Sequence, residues 1–281
     1  MRTLVSGLTT IDLIQTVDHA PSSNEKVTST SALLDVGGPA ANAARTAAAL
    51  SASPILASPI GPGLFGDLAA RWLRQAGVDI VDLASQGDPP ISAIAIDAVG
   101  NRSVVSSNAS GRPHGFPPAS IFDDVTALLV DGHVLDVQIA LARTARGLGL
   151  PVVLDGGSYK RGIEALLPHV THGIFSADYR MPSGEPIQAL AKAGMMFVAR
   201  TDGGRPITAY IGGQAHEVEV PHADVVDTLG AGDVLHGAFL AELAGGRSEL
   251  DALRAAAEVA SSSVAFAGAM GWAEARQAGG Q

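Results

Sequence analysis

The chain has 281 residues, 47% hydrophobic and 16% charged, with a formal charge of −10 at pH 7 and no cysteine. That length and apolar content can bury a domain-sized core without disulfide or metal staples. The acidic balance, with Lys26, Lys160 and Lys192 as the only lysines and no basic block, argues against a nucleic-acid partner. The missing cysteines remove thiolate metal sites and cysteine nucleophiles and fit a reducing compartment.

The N-terminus reaches Asp12 before any apolar run is long enough for a signal-peptide core, so the expected location is cytoplasmic. Arg2 to Thr10 reads as a buried strand that ends near Gly7 and delivers Asp12 at its carboxyl end, where open α/β sheets place ligands. Ile14 to Val36 predicts a hairpin around Pro-Ser-Ser-Asn, and Gly37-Gly38-Pro39 opens an alanine-rich helix to Leu50. Thr46 to Gly66 carries no charge, but Pro54, Pro59 and Pro62 would break a membrane span, so it reads as buried soluble structure. A strand over 55–60, a helix over 66–76 capped by Gly77, and a second hairpin turning at Val99-Gly100-Asn101 follow.

From Ala127 the pattern is regular: strands at 127–131, 151–155, 173–176 and 195–201 alternate with helices at 138–148, 163–167 and 186–193. Such alternation implies parallel βαβ units covered on both faces. Ile207 to Val220 adds a β meander, and two helices, 231–244 and 250–267, close the chain. The expected architecture is one three-layer α/β domain over residues 1–281 with a largely parallel sheet, the two early hairpins forming a small β lid from about 13–36 and 90–111.

The strongest chemical signal is Asp227-Thr228-Leu229-Gly230-Ala231-Gly232-Asp233 ahead of an apolar helix. Glycines at 230 and 232 allow a tight turn that presents amides, and the helix adds its positive dipole end: an anion cradle. Asp233, at the helix start, can cap the helix or accept a proton from an attacking hydroxyl.

With Gly37-Gly38-Pro39-Ala40-Ala41-Asn42-Ala43-Ala44 about 190 residues upstream, this loop makes the whole chain resemble the ribokinase-like, or PfkB, family of carbohydrate and nucleoside kinases. The resemblance implies a kinase using ATP and Mg²⁺. Asp233 takes the place of the catalytic base and the amides of Gly230, Ala231 and Gly232 that of the anion hole. Asp12, Gly37, Gly38 and Asn42 would hold sugar hydroxyls. Thr201, Gly203 and Gly204 resemble the family's turn beneath the nucleotide, with Pro206 where a second glycine is usual. Many relatives carry Asn-x-x-Glu at the strand end that reads Ser176-Ala177-Asp178 here. Ser176 and Asp178 are the substitutes available, Asp178 toward Mg²⁺ through water. Ser261 falls where an asparagine often lies beside adenine, and Asp227 where some relatives bind a monovalent cation such as K⁺. A homodimer through the lid is expected, with Ile94 and Ile96 as exposed apolar lid residues.

The implied reaction is transfer of the ATP γ-phosphoryl group to a primary hydroxyl of a small sugar. Two alternatives remain: a nucleoside kinase with the same signatures, and a non-catalytic sugar-binding regulatory protein. Gly61-Pro62-Gly63-Leu64-Phe65-Gly66 satisfies G-x-G-x-x-G, but Pro62 has no amide to offer a pyrophosphate. Arg102 and Arg112 mark a fork: an acidic sugar if either points inward, a neutral one if both point outward.

Overall fold

The computed structural model describes residues 1–107, 111–192 and 194–279. β1 (Arg2–Ser6) is a central strand of the main sheet. It ends where the chain turns at Gly7 and enters the lid with β2 (Thr10–Thr16). A Cβ at Gly7 would lie 2.2 Å from the Asp131 carboxylate, whose Oδ2 accepts the Leu8 amide at 2.8 Å. Asp12 therefore lies within a lid strand, not at the carboxyl end of the first core strand. Leu8 to Ile11 stays apolar or β-branched through the turn, so hydrophobicity alone does not reveal the break.

β3 (Ser31–Gly37) pairs antiparallel with β2, and β6 (Ile91–Ile96) with β7 (Arg102–Ser106). A parallel β2–β6 pairing joins the two hairpins into a four-stranded lid in the order β3-β2-β6-β7. Residues 108–110 of the expected lid segment lie outside the described residues. Ile94 is buried at 4% exposure, contrary to the expectation of an exposed lid residue, and Ile96 is half-buried. Both lie on the face of the lid that meets the crevice. The exposed large apolars of the lid strands are Leu33, Leu34, Ile91, Val104 and Val105.

α1 (Pro39–Ala49), β4 (Ser53–Ser58), α2 (Leu64–Gln75) and β5 (Asp79–Asp82) return the chain to the core. β8 (Val125–Val130), α3 (Leu135–Gly147), β9 (Val152–Gly156), β10 (His172–Ser176), α4 (Gln188–Lys192) and β11 (Phe197–Asp202) build the parallel half. β12 (Arg205–Ile211) and β13 (Gln214–Val218) add an antiparallel edge. The nine-stranded sheet runs β13-β12-β11-β10-β9-β8-β1-β4-β5.

Alternate residues of the same strand enter different cores, as burial on both faces requires. Val5, Leu129 and Val153 pack with α1, α5 (Ala231–Ala244) and α6 (Glu249–Ser263), whereas Leu4, Leu128 and Leu154 pack with α3. The helix expected at 163–167 is a pair of short 3₁₀ turns, 163–165 and 167–169. Pro168 supplies no amide to continue a helix, and Gly162 enters in the left-handed region. A third closing helix, α7 (Gly271–Gly279), follows a break after Ser263 that the small-residue run 265–269 disguises.

The contact that sets the site is helix on helix. A Cβ at Gly237 of α5 would lie 2.3 Å from the Ala43 carbonyl oxygen and 2.8 Å from Ala43 Cα, so α1 and α5 meet backbone to backbone. Gly237→Val should lower stability by about 2 kcal/mol through overpacking, read as a reduced urea midpoint with an unchanged m-value.

Candidate active site

Two helix starts converge. Gly38, at φ 94°, precedes α1, and a Cβ there would sit 2.4 Å from the Leu8 carbonyl oxygen. Gly230, at φ 73°, precedes α5, where a Cβ would lie 2.5 Å from Ala269 Cβ. Glycine is required at both by conformation and by space. In the first turns, Asn42 Nδ2 donates to Asp233 Oδ2 at 2.8 Å, joining residues 191 apart in sequence. Asn42 is 5% exposed, and its Oδ1 is buried without a partner. A ligand hydroxyl donating to it would satisfy that atom.

Asp12 faces the same end of the lid. Its Oδ1 accepts from Thr10 Oγ1 at 2.6 Å, and its Oδ2 occupies the space where a Gly37 side chain would begin, 1.9 Å from the Cβ position. Burial raises its pKa above the usual value. Arg45 secures this junction, donating to Asp35 Oδ2 at 3.1 Å and to the Val36 carbonyl at 2.8 Å.

The amides of Gly232 and Asp233, at the start of α5, have no acceptor among the described residues, while the Ala231 amide reaches the Thr228 carbonyl at 3.3 Å. Of the three amides expected to form the anion hole, Ala231's is thus partly engaged in the turn. Asp227 secures the loop: its Oδ1 accepts the Leu229 amide and its Oδ2 the Gly268 amide, both at 2.9 Å.

Ser176, Thr201, Gly203, Gly204, Ala231, Gly232 and Ser261 all line one cavity of about 670 Å³, within the range of small-molecule sites. Its far wall is apolar, built by Ile207, Val220, Leu235, Ala257 and Val264. Ser261 Oγ donates to the Pro221 carbonyl, and Ser176 Oγ accepts the Asp178 amide at 3.1 Å. Asp178 is exposed and lies outside the cavity lining.

Two further residues, His236 and Asp155, lie beneath the loop. His236 Nδ1 lies 2.6 Å from the Gly232 carbonyl oxygen and 3.4 Å from Asp155 Oδ2, and its Nε2 lies 3.2 Å from the Ile174 carbonyl oxygen. Spacing of three along α5 hinted at His236, but nothing local in the sequence joins it to Asp155, 81 residues earlier. Burial first, then the Asp155 carboxylate, push Asp233 up to about 7, against the opposing pull of Asn42 and His236.

Residues 2–275 match the model of the pfkB family carbohydrate kinases, and the chain belongs to that family. It is 26% identical to a ribokinase of Arabidopsis thaliana over 292 aligned positions, covering 95% of this chain and 77% of the relative. It is 28% identical to a fructosamine kinase of Bacillus subtilis over 209 positions, 71% of this chain and 72% of the relative. The solved structure of Arabidopsis thaliana ribokinase complexed with ribose and ATP has the same fold, with a TM-score of 0.78 at 21% identity, covering 96% and 94% of the two chains.

An acid whose folded pKa is raised binds protons more tightly when folded, so its contribution favours folding at low pH and is lost as pH rises through the folded value. Asp233→Asn, which does not titrate, should therefore be more stable than the native chain at pH 8. The gap should close as pH falls from about 7 into the ordinary carboxylate range, as measured by urea melts across pH.

Proposed function

We propose that this chain is an ATP-dependent sugar kinase, acting as one unit of core and lid, that phosphorylates a primary hydroxyl of a small carbohydrate with Asp233 as general base. One observation carries the reading: adjacent residues face two compartments. Gly232 lines the large cavity, while Asp233 bonds Asn42 on the lid side. Nucleotide phosphates in the first compartment and a sugar in the second would meet at the start of α5. The hydroxyl proton passes to the Asp233 carboxylate, the freed oxygen attacks the γ-phosphorus, and the bond to the departing ADP oxygen breaks. Positioning and charge stabilisation by the amides of Gly230, Gly232 and Asp233 are what phosphoryl transfer requires of a protein. Asp12, Asn42 and the backbone of Gly37 and Gly38 would orient the sugar, and a closed lid would exclude water.

The donor set fits Mg²⁺ as a cation held chiefly by phosphates and water. Among the described residues no cluster of three His, Asp or Glu forms an all-protein cage, and Asp178 beside Ser176 offers one carboxylate. When bound, Mg²⁺ neutralises charge on the phosphates. Both carboxylate oxygens of Asp227 accept loop amides, so K⁺ at that residue is left out of the reading.

A sugar is favoured over a nucleoside because none of the four lid strands contains an aromatic residue to stack on a base. For the expected homodimer, the exposed Leu34 and Val105 on the outer lid face are the apolar contact available to a second copy.

Substrate-dependent ADP release with Mg·ATP over ketoses, aldoses, acidic sugars and nucleosides should identify one sugar class. Asp233→Asn should lower kcat by about 10³-fold with nucleotide binding retained. Nucleotide binding without turnover on any acceptor would favour the non-catalytic binding protein instead. Because the base must be ionised, kcat/KM of the native enzyme should rise with pH up to about 7 and level off above it.

A further inference from the structure

The register of the lid fixes which side chains face the crevice. Paired residues point to the same side of a sheet, and that side recurs at every second position. The face that carries Asp12 therefore carries Ser92 and Ser106 in the same row. Ile14, Ile94 and Val104 form the next row, and Thr16, Ile96 and Arg102 the outermost. Over about 14 Å of strand the face passes from hydrogen-bonding to apolar to cationic. The polar row meets the sugar end; the cationic row lies elsewhere.

Arg102 lines the 670 Å³ cavity together with Ser176, Thr201, Gly203 and Gly232. Among the described residues lining that cavity it is the one lysine, arginine, aspartate or glutamate. It is exposed and makes no ion pair or side-chain hydrogen bond with the described residues. Gly232, whose amide has no acceptor among the described residues, lines the same cavity at the start of α5. A guanidinium and a helix start converging on one space favour a phosphate-bearing polyanion, which a planar fork of donors can grip at two oxygens.

We propose that Arg102 binds the phosphate chain of the nucleotide, so that the lid is part of the nucleotide site as well as the cover of the sugar. The inference rests on the kinase reading above and adds to it a coupling. A sugar that holds the lid down also holds Arg102 over the phosphates, and by linkage the nucleotide strengthens sugar binding by the same factor. For Arg102, its position against Thr201 and Gly203 assigns the charge to the nucleotide rather than to an acidic sugar, which leaves Arg112 as the arginine on which that alternative turns.

The test needs no sugar. Calorimetric titration of the native chain, Arg102→Ala and Arg102→Lys with Mg²⁺ and the non-hydrolysable imido analogue of ATP, and separately with adenosine, divides phosphate binding from base binding. Arg102→Ala should raise the Kd of the analogue about tenfold or more and leave adenosine unchanged, with Arg102→Lys in between. The salt dependence of analogue binding should be shallower in Arg102→Ala. Equal weakening of both ligands would overturn the proposal in favour of a structural role. Unchanged analogue binding, with loss confined to turnover of an acidic sugar, would overturn it in favour of a substrate contact. A native chain that binds neither ligand refutes the kinase reading itself, an outcome distinct from either.

Discussion

The 2.8 Å hydrogen bond between Asn42 and Asp233 is the constraint on which the rest of the site depends. It joins the first turns of α1 and α5, and each of those turns follows a glycine whose side-chain space is already occupied. The approach of the two helices is set further along by Gly237 against the Ala43 backbone. The Asn42 side chain and the amides at the start of α5 thus share one rigid junction rather than two mobile loops. Catalytic geometry benefits from that rigidity, since small misplacements of reacting groups are costly.

The same junction places charge where water cannot easily compensate for it. Asp233 lies near Asp155, and His236 lies between that carboxylate and the carbonyl of Gly232. The arrangement raises the proton affinity of Asp233 toward neutrality, the range in which a carboxylate can both accept and later release a proton. The glycine loop ahead of α5 is held independently by Asp227, so its shape does not rely on Asp233.

Much of this was legible in the sequence because glycine and alanine leave distinctive marks where backbones must approach. The bounds of α5 read directly from its apolar run after Gly230, and the residues assigned to the nucleotide gather around one cavity. Ser176, Thr201 and Ser261 came together although they lie on β10, β11 and α6. What sequence did not reveal depended on register. Ile94 was expected outside and lies inside, because alternation fixes two faces without saying which one meets the core. Asp12 lies within β2 rather than at the end of β1, and the apolar or β-branched residues Leu8 to Ile11 give no sign that a new strand begins so soon after the turn at Gly7. The partnership of His236 with Asp155 spans two elements and leaves no local pattern.

The parallel pairing of β2 with β6 has a consequence for how the molecule assembles. Ile11 pairs with Ile91, and between them lie β3, α1, β4, α2 and β5. Each hairpin can close locally, but the two can join only after the intervening core units have brought their ends together, when the loop-closure entropy has already been met. The lid therefore completes late in folding. Its side chains govern how readily it detaches from a finished core rather than how fast that core forms, which leaves the crevice-facing rows open to sequence change at little risk to the scaffold beneath.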